Sequence, residues 1–307
     1  MSSTSTRDGG GGRPVHAARR GGRPHARAAA AGRAAAAGRP AWAGAAGRAS
    51  LVAAFWLGVW QVASLVVGHA LLLASPVDVV ARLGVLATTG EFWLTVAHTL
   101  ARVAVGFGLG VVVGTAGAAV ASTSRVVDAL TAPLMSAIRS VPVVGIVVLL
   151  LLWADSARLA AVVSFLMVLP IVWTSVREGV RQRDRALLEV AEVFRVPLVR
   201  RLAAVDLPAV LPHLAAACSI GIGLAWKSGV AAEVIGMPDG SVGEQMQQAR
   251  VLLSSADLLA WTVVVVVAAR VSELAVRALL RRVGGARTPG SRPGDPGSPA
   301  PRTGGGP

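Results

Sequence analysis

The sequence predicts an all-α polytopic membrane protein: six transmembrane helices with one helical loop held on the cytosolic side. Three observations carry this. Hydrophobic residues make up 54% of the chain and its mean hydropathy is +0.63, too apolar for a soluble globule. The apolar residues fall in runs of about 20, the length a helix needs to cross the hydrocarbon core. The arginines cluster, with nine in residues 1–49, seven in 177–206 and six from Arg277 onward. Alternating spans put all three clusters on one face, which is the positive-inside pattern and not a nucleic-acid footprint.

Residues 1–49 are Gly, Ala and Arg with little to build a core from. They are expected to form a disordered, basic cytosolic tail near anionic lipid. No small-residue cleavage site follows a short apolar core, so no cleaved signal peptide is expected. The first span is read at 51–74, with Trp56 and Trp60 inside it. Ser75-Pro76 is a helix start, and 75–97 is expected as one surface helix outside. Spans two to four are read at 99–121, 133–153 and 159–176, and spans five and six at 211–234 and 258–280. The transmembrane domain is thus 50–282, and 283–307 (Gly, Pro, Ser, Arg) is expected to be a second disordered tail.

A polar interruption at 184–212 lies between apolar spans and must stay outside the bilayer. Arg185, Glu189, Glu192 and Arg195 recur at steps of four, three and three, so the spacing predicts one stripe of a helix. Pro197 stops that helix or starts another, and Val205 to Pro208 leads back into the membrane. A short amphipathic hairpin at the membrane face is a docking element, since insertion alone does not require one.

Within the spans, Gly106, Gly110, Gly114 and Gly117 line one face of span two. Such a face serves close packing inside the chain or a seam between subunits. Pro142 and Pro170 interrupt spans three and four, as kinks used in gating or merely tolerated. Lys227 sits deep in span five beside Trp226, where a charge costs about 2.5–3.5 kcal/mol and so faces a cavity or a counter-charge. It lines a path for an anion or forms a structural ion pair. Glu233 is about 120° away around the helix and is a poor intrahelical partner for it. Arg139 and Arg102 are further cationic candidates that snorkelling also explains.

Enzymatic classes find no support. The five histidines form no metal-binding pair, Cys218 is the single cysteine, and no phosphate-binding G-x-x-x-x-G-K-[ST] loop is present. A stand-alone channel or carrier, and an intramembrane enzyme, are the alternatives from other classes.

The loop resembles the EAA loop of binding-protein-dependent ABC transporter permeases: Glu-Ala-Ala, three residues, Gly, nine residues, Ile, one residue, Leu-Pro. Glu189, Val190 and Ala191 match the first three places, and Val205, Leu207 and Pro208 the last. Arg195 stands at the glycine position, where a positive φ comes only at a cost. His98 to Gly114, Arg139 to Trp153 and Leu224 to Gly236 are similar to the nitrate, sulfonate and taurine branch of these permeases. The likeness covers about residues 50–282.

The resemblance implies a non-catalytic subunit of the bacterial plasma membrane, multi-pass with both termini cytosolic. It implies a second permease copy, a cytosolic ATPase dimer and an extracytoplasmic solute-binding protein as partners. ATP is then bound by the partner, and this chain needs no cofactor or metal. Glu189, Ala191, Glu192, Arg195, Val205, Leu207 and Pro208 are the implied coupling residues. Trp226, Lys227, Glu233, Arg139 and Pro142 are candidates for the translocation path of a small anionic solute. A heterocyclic vitamin precursor, with Trp226 stacking on its ring, is the alternative cargo.

Overall fold

A computed structural model describes residues 41–69, 71–153 and 155–285. The described residues are mostly helical, with no strand among them. The expected tails therefore lie largely outside, at 1–40 and 286–307. The chain divides into two units between Val59 and Trp60, and the first helix, α1 (Ala41–Val67), runs across the division.

α1 starts nine residues inside the tail expected to be disordered and stops seven residues before the expected end of span one. It stops because Gly68 takes φ 67, a left-handed cap that glycine adopts without Cβ strain. In the first unit Leu51, Phe55 and Trp56 are exposed, as befits a helix in lipid. Within the second unit, the Trp60 indole N–H donates to the Ala74 carbonyl at 3.1 Å, and Ser64 Oγ to the Leu73 carbonyl at 2.9 Å.

The expected single surface helix over 75–97 is two elements. Helix α2 (Pro76–Ala87) starts as anticipated, with Ser75 and Asp78 forming a reciprocal capping box and Pro76 in the first turn. Thr89 then caps a new helix, α3 (Gly90–Ala121), so span two begins nine residues earlier than expected.

Span three is broken. Helices α4 (Arg125–Ser140) and α5 (Val143–Leu150) meet at 96°, where a single span over 133–153 with a kink at Pro142 was expected. The cause is local: Val141, preceding Pro142, is pushed to an extended conformation (φ −72, ψ 130) that no helix continues through. Pro170, by contrast, lies inside an unbroken helix, α6 (Ser156–Arg181). Beyond the loop, α9 (Leu207–Gly236) is followed by a short polar helix, α10 (Val242–Val251), and by α11 (Ser255–Gly285).

Among the described residues, four helical stretches are long and apolar enough to cross a membrane, or five if the bent pair counts as one span. The expected count of six exceeds this by α11. That helix has 31 residues and an apolar run from Leu258 to Ala269.

The core is α3, α6 and α9 packed side by side. The glycine stripe of α3 faces α6 within the chain. A Cβ on Gly110 would lie 2.8 Å from Val168 Cβ, one on Gly114 3.0 Å from Val172 Cβ, and Gly117 lies under the Trp173 ring. The stripe therefore serves intrachain packing. Gly229 of α9 meets Ser164 and Val103 in the same way, and Ser164 Oγ donates to the Ala225 carbonyl at 3.0 Å.

Candidate functional site

The loop builds a helical hairpin. Asp184 caps α7 (Arg185–Val193) by accepting from Ala186 N–H at 2.9 Å. Arg185, Glu189 and Glu192 share its stripe as expected, but Arg195 does not. It lies past the helix end at φ 48, the left-handed region. Val196 N–H donates to the Ala191 carbonyl and Arg195 N–H to the Glu192 carbonyl, which is a Schellman ending with arginine in the glycine place. Pro197 then starts a single turn, α8 (Leu198–Arg201). Five residues of π-helix, Leu202–Asp206, connect it to α9, with Leu207 N–H donating to the Leu202 carbonyl. The wide turn has a physical reason: Pro208 has no N–H for the Ala204 carbonyl, and its ring would clash with that carbonyl in a regular helix.

The coupling candidates divide by exposure. Ala191 is buried against the bundle side of the hairpin, while Glu189, Glu192, Arg195 and Pro208 are exposed and Val205 and Leu207 half-buried. Asp206, which sequence spacing did not single out, closes the hairpin. It ion-pairs with Arg183 at the end of α6, and Arg201 Nε lies 3.5 Å from its other oxygen as a charge contact without hydrogen-bond geometry. The legs of the loop are thus clasped, and its outer face is apolar: Val193 is 78% exposed, Phe194 75%, Leu198 68% and Val199 80%.

The path candidates do not converge on one site. Glu233 is fully buried, accepting from Thr99 Oγ1 at 2.8 Å and Gly243 N–H at 3.3 Å, with Arg102 Nη1 at 3.3 Å. Arg102 also donates to the Asp239 carbonyl, so its charge is matched and needs no snorkelling. Gly243 approaches Glu233 so closely that a side chain there has no room, which locks α10 onto the end of α9. The Ser-x-x-Glu spacing of Ser241 and Glu244 is the sequence signal that would have found α10: Ser241 Oγ accepts from Glu244 N–H, while the Glu244 carboxylate accepts from Gly240 N–H.

Trp226 is a core residue, 1% exposed, with its indole N–H donating to Ser272 Oγ at 3.0 Å; its face is closed to a stacking ring. Arg139 ties the broken span to α6, donating to the Pro170 carbonyl at 3.4 Å and Thr174 Oγ1 at 3.3 Å. Pro142 is the break itself. Arg139 and Pro142 are exposed, and so is Lys227, which lies on a stripe of α9 with Ala216, Ile220 and Gly223 and forms no ion pair among the described residues.

Residues 106–285, more than half of the chain, match the family model of the binding-protein-dependent transport system inner membrane component. The chain belongs to that family. This permease is similar to the putative aliphatic sulfonates transport permease protein SsuC of Bacillus subtilis, at 28% identity over 76% of the chain and 85% of the relative. It is 27% identical to the taurine transport system permease protein TauC of Escherichia coli, over 73% of the chain and 83% of the relative. The bicarbonate transport system permease protein CmpB of Synechococcus elongatus is 31% identical over 48% of the chain and 52% of the relative. The permease is accordingly a multi-pass membrane protein of ABC import systems, a non-catalytic type of subunit.

Proposed function

We propose that two copies of this permease form the translocation path for a small anionic solute, driven by a cytosolic ATPase dimer docked on the hairpin. The observation that carries the coupling role is the apolar outer face of a polar loop. Phe194, Val193, Leu198 and Val199 stand exposed on an element that must face water, and an exposed apolar patch of this kind marks a protein contact. The Arg183–Asp206–Arg201 clasp fixes that patch to the ends of α6 and α9, so a push on the hairpin reaches both core helices. Each copy would rock with its ATPase in alternating access. An extracytoplasmic binding protein would deliver cargo at the α10 end.

Support for an anionic cargo comes from the exposed Lys227 stripe and from relatives named for sulfonates, taurine and bicarbonate. A vitamin ring has less support, because Trp226 is enclosed by the core. Facing stripes in a homodimer would put a lysine from each copy along the path.

The test is uptake in proteoliposomes holding the permease with the ATPase and binding protein encoded beside it. Removing Ala186 through Val205 should abolish ATP-driven uptake while insertion persists. Uptake by the permease alone, or uptake surviving the deletion, would show a stand-alone carrier. Lys227→Ala should cut anion uptake about tenfold, one lost charge contact of roughly 1.4 kcal/mol; unchanged uptake removes the anion reading.

A further inference from the structure

At the loop end of the bundle two cavities adjoin, and their chemistry differs. One, of about 430 Å³, is lined by Arg125, Arg177, Arg181, Arg183 and Arg185 with the Ser122–Ser124 turn and a single acid, Asp128. The other, of about 870 Å³, is lined largely by apolar side chains, among them Val120, Val176, Val199, Leu202 and Val210. They share Ser122, Thr123, Val180 and Arg183, so they are two lobes of one hollow.

Charge in the basic lobe is only partly matched. Asp128 pairs with Arg177, and Arg183 is engaged by Asp206 and by the Val180 carbonyl. Arg125, Arg181 and Arg185 have no counter-ion among the described residues. Three unmatched guanidiniums around a small cleft attract an anion, and their forked geometry suits phosphate. A free phosphate would fill the basic lobe and leave the apolar one empty. In the apolar lobe the Thr115 hydroxyl is buried without a hydrogen-bond partner, so it is available to an ester carbonyl.

We propose that this hollow holds one anionic phospholipid from the leaflet on the loop side, its phosphate on Arg125, Arg181 and Arg185 and an acyl chain against Val120, Val176 and Leu202. The charge of the small lobe and the apolar lining of the large one fit a single amphipathic anion. The lipid would bridge the α3–α4 turn, the end of α6 and the returning loop. The site is independent of the cargo but adjoins the proposed docking face, since Val199 borders both; the naming of the leaflet as cytosolic rests on the orientation proposed above.

The test compares full-length permease in nanodiscs of phosphatidylcholine doped with phosphatidylglycerol, reading retained lipid by native mass spectrometry after transfer to detergent. Phosphatidylglycerol should be retained in preference to phosphatidylcholine at about one molecule per chain. The triple variant Arg125→Gln, Arg181→Gln, Arg185→Gln should weaken retention about a hundredfold, roughly fivefold per guanidinium. Ala119→Phe, which fills the apolar lobe and leaves every charge, should also reduce retention, with circular dichroism confirming the fold of both variants. Equal retention of the two lipids, or retention indifferent to the three arginines, would overturn the proposal. Inorganic phosphate displacing the lipid at millimolar concentration, or binding undiminished to Ala119→Phe while lipid is never retained, would show a free-phosphate site instead.

Discussion

Single residues carry the strongest departures from sequence spacing. Arg195 occupies the left-handed place that its family pattern reserves for glycine, at a cost of about 1 kcal/mol for a residue with a Cβ. Arg195→Gly should therefore stabilise the hairpin by about 1 kcal/mol, seen as slower amide exchange at Val196, whereas Arg195→Val should loosen it. Faster exchange in the glycine variant would mean that the arginine head group contributes more than its backbone strain costs. Glu233 makes the opposite case: it is fully buried and held by Thr99, Arg102 and the Gly243 N–H. Glu233→Ala should destabilise by about 3–5 kcal/mol in detergent unfolding, because Arg102 and two donors lose their acceptor. Glu233→Gln, which keeps one acceptor oxygen, should cost less. None of this was legible in spacing, since Arg102 lies 131 residues away in the chain.

Elements were legible where the signal is local. Ser75 before Pro76, Asp184 before α7 and the proline after Arg195 each mark a boundary that the structure keeps, because caps and proline act within a turn. The failures are also local in cause. The threonine pair Thr88-Thr89 splits the expected surface helix, and Val141, extended ahead of Pro142, breaks span three. Replacing Pro142 with Ala should restore an N–H and release Val141, reducing the 96° bend. Spin labels at Leu134 and Val148, both exposed, should move apart; an unchanged distance would mean that packing against α6, and not proline, holds the bend. At the α3–α6 contact, Gly110→Leu has no free space, with Val168 2.8 Å from where even a Cβ would stand. Such overpacking should cost at least about 1–3 kcal/mol in thermal unfolding, while Gly108→Ala, which faces open space, should be near neutral or slightly stabilising.

For the whole molecule, the positive-inside pattern of the arginine clusters predicts the loop and the α11 end on one side, and Asp239 with α10 on the other. Single cysteines at Glu192 and Asp239, in a background with Cys218→Ala, test this directly. A membrane-impermeant thiol reagent outside intact cells should label the Asp239 site and leave the Glu192 site unlabelled until lysis. The reverse pattern would invert the permease and, with it, the leaflet of the lipid hollow. By itself the sequence determined the helical membrane class, the loop and its membership of the permease family. Hydropathy runs, charge clusters and cap signatures are properties of neighbouring residues, and they survive without knowledge of packing. Which glycine face meets which helix, which acid receives Arg102, and why Trp226 is enclosed while Lys227 is open were decided only by tertiary structure. Those outcomes depend on how α3, α6 and α9 are rotated against one another, and helices that approach to glycine contact distance leave each side chain one place to go.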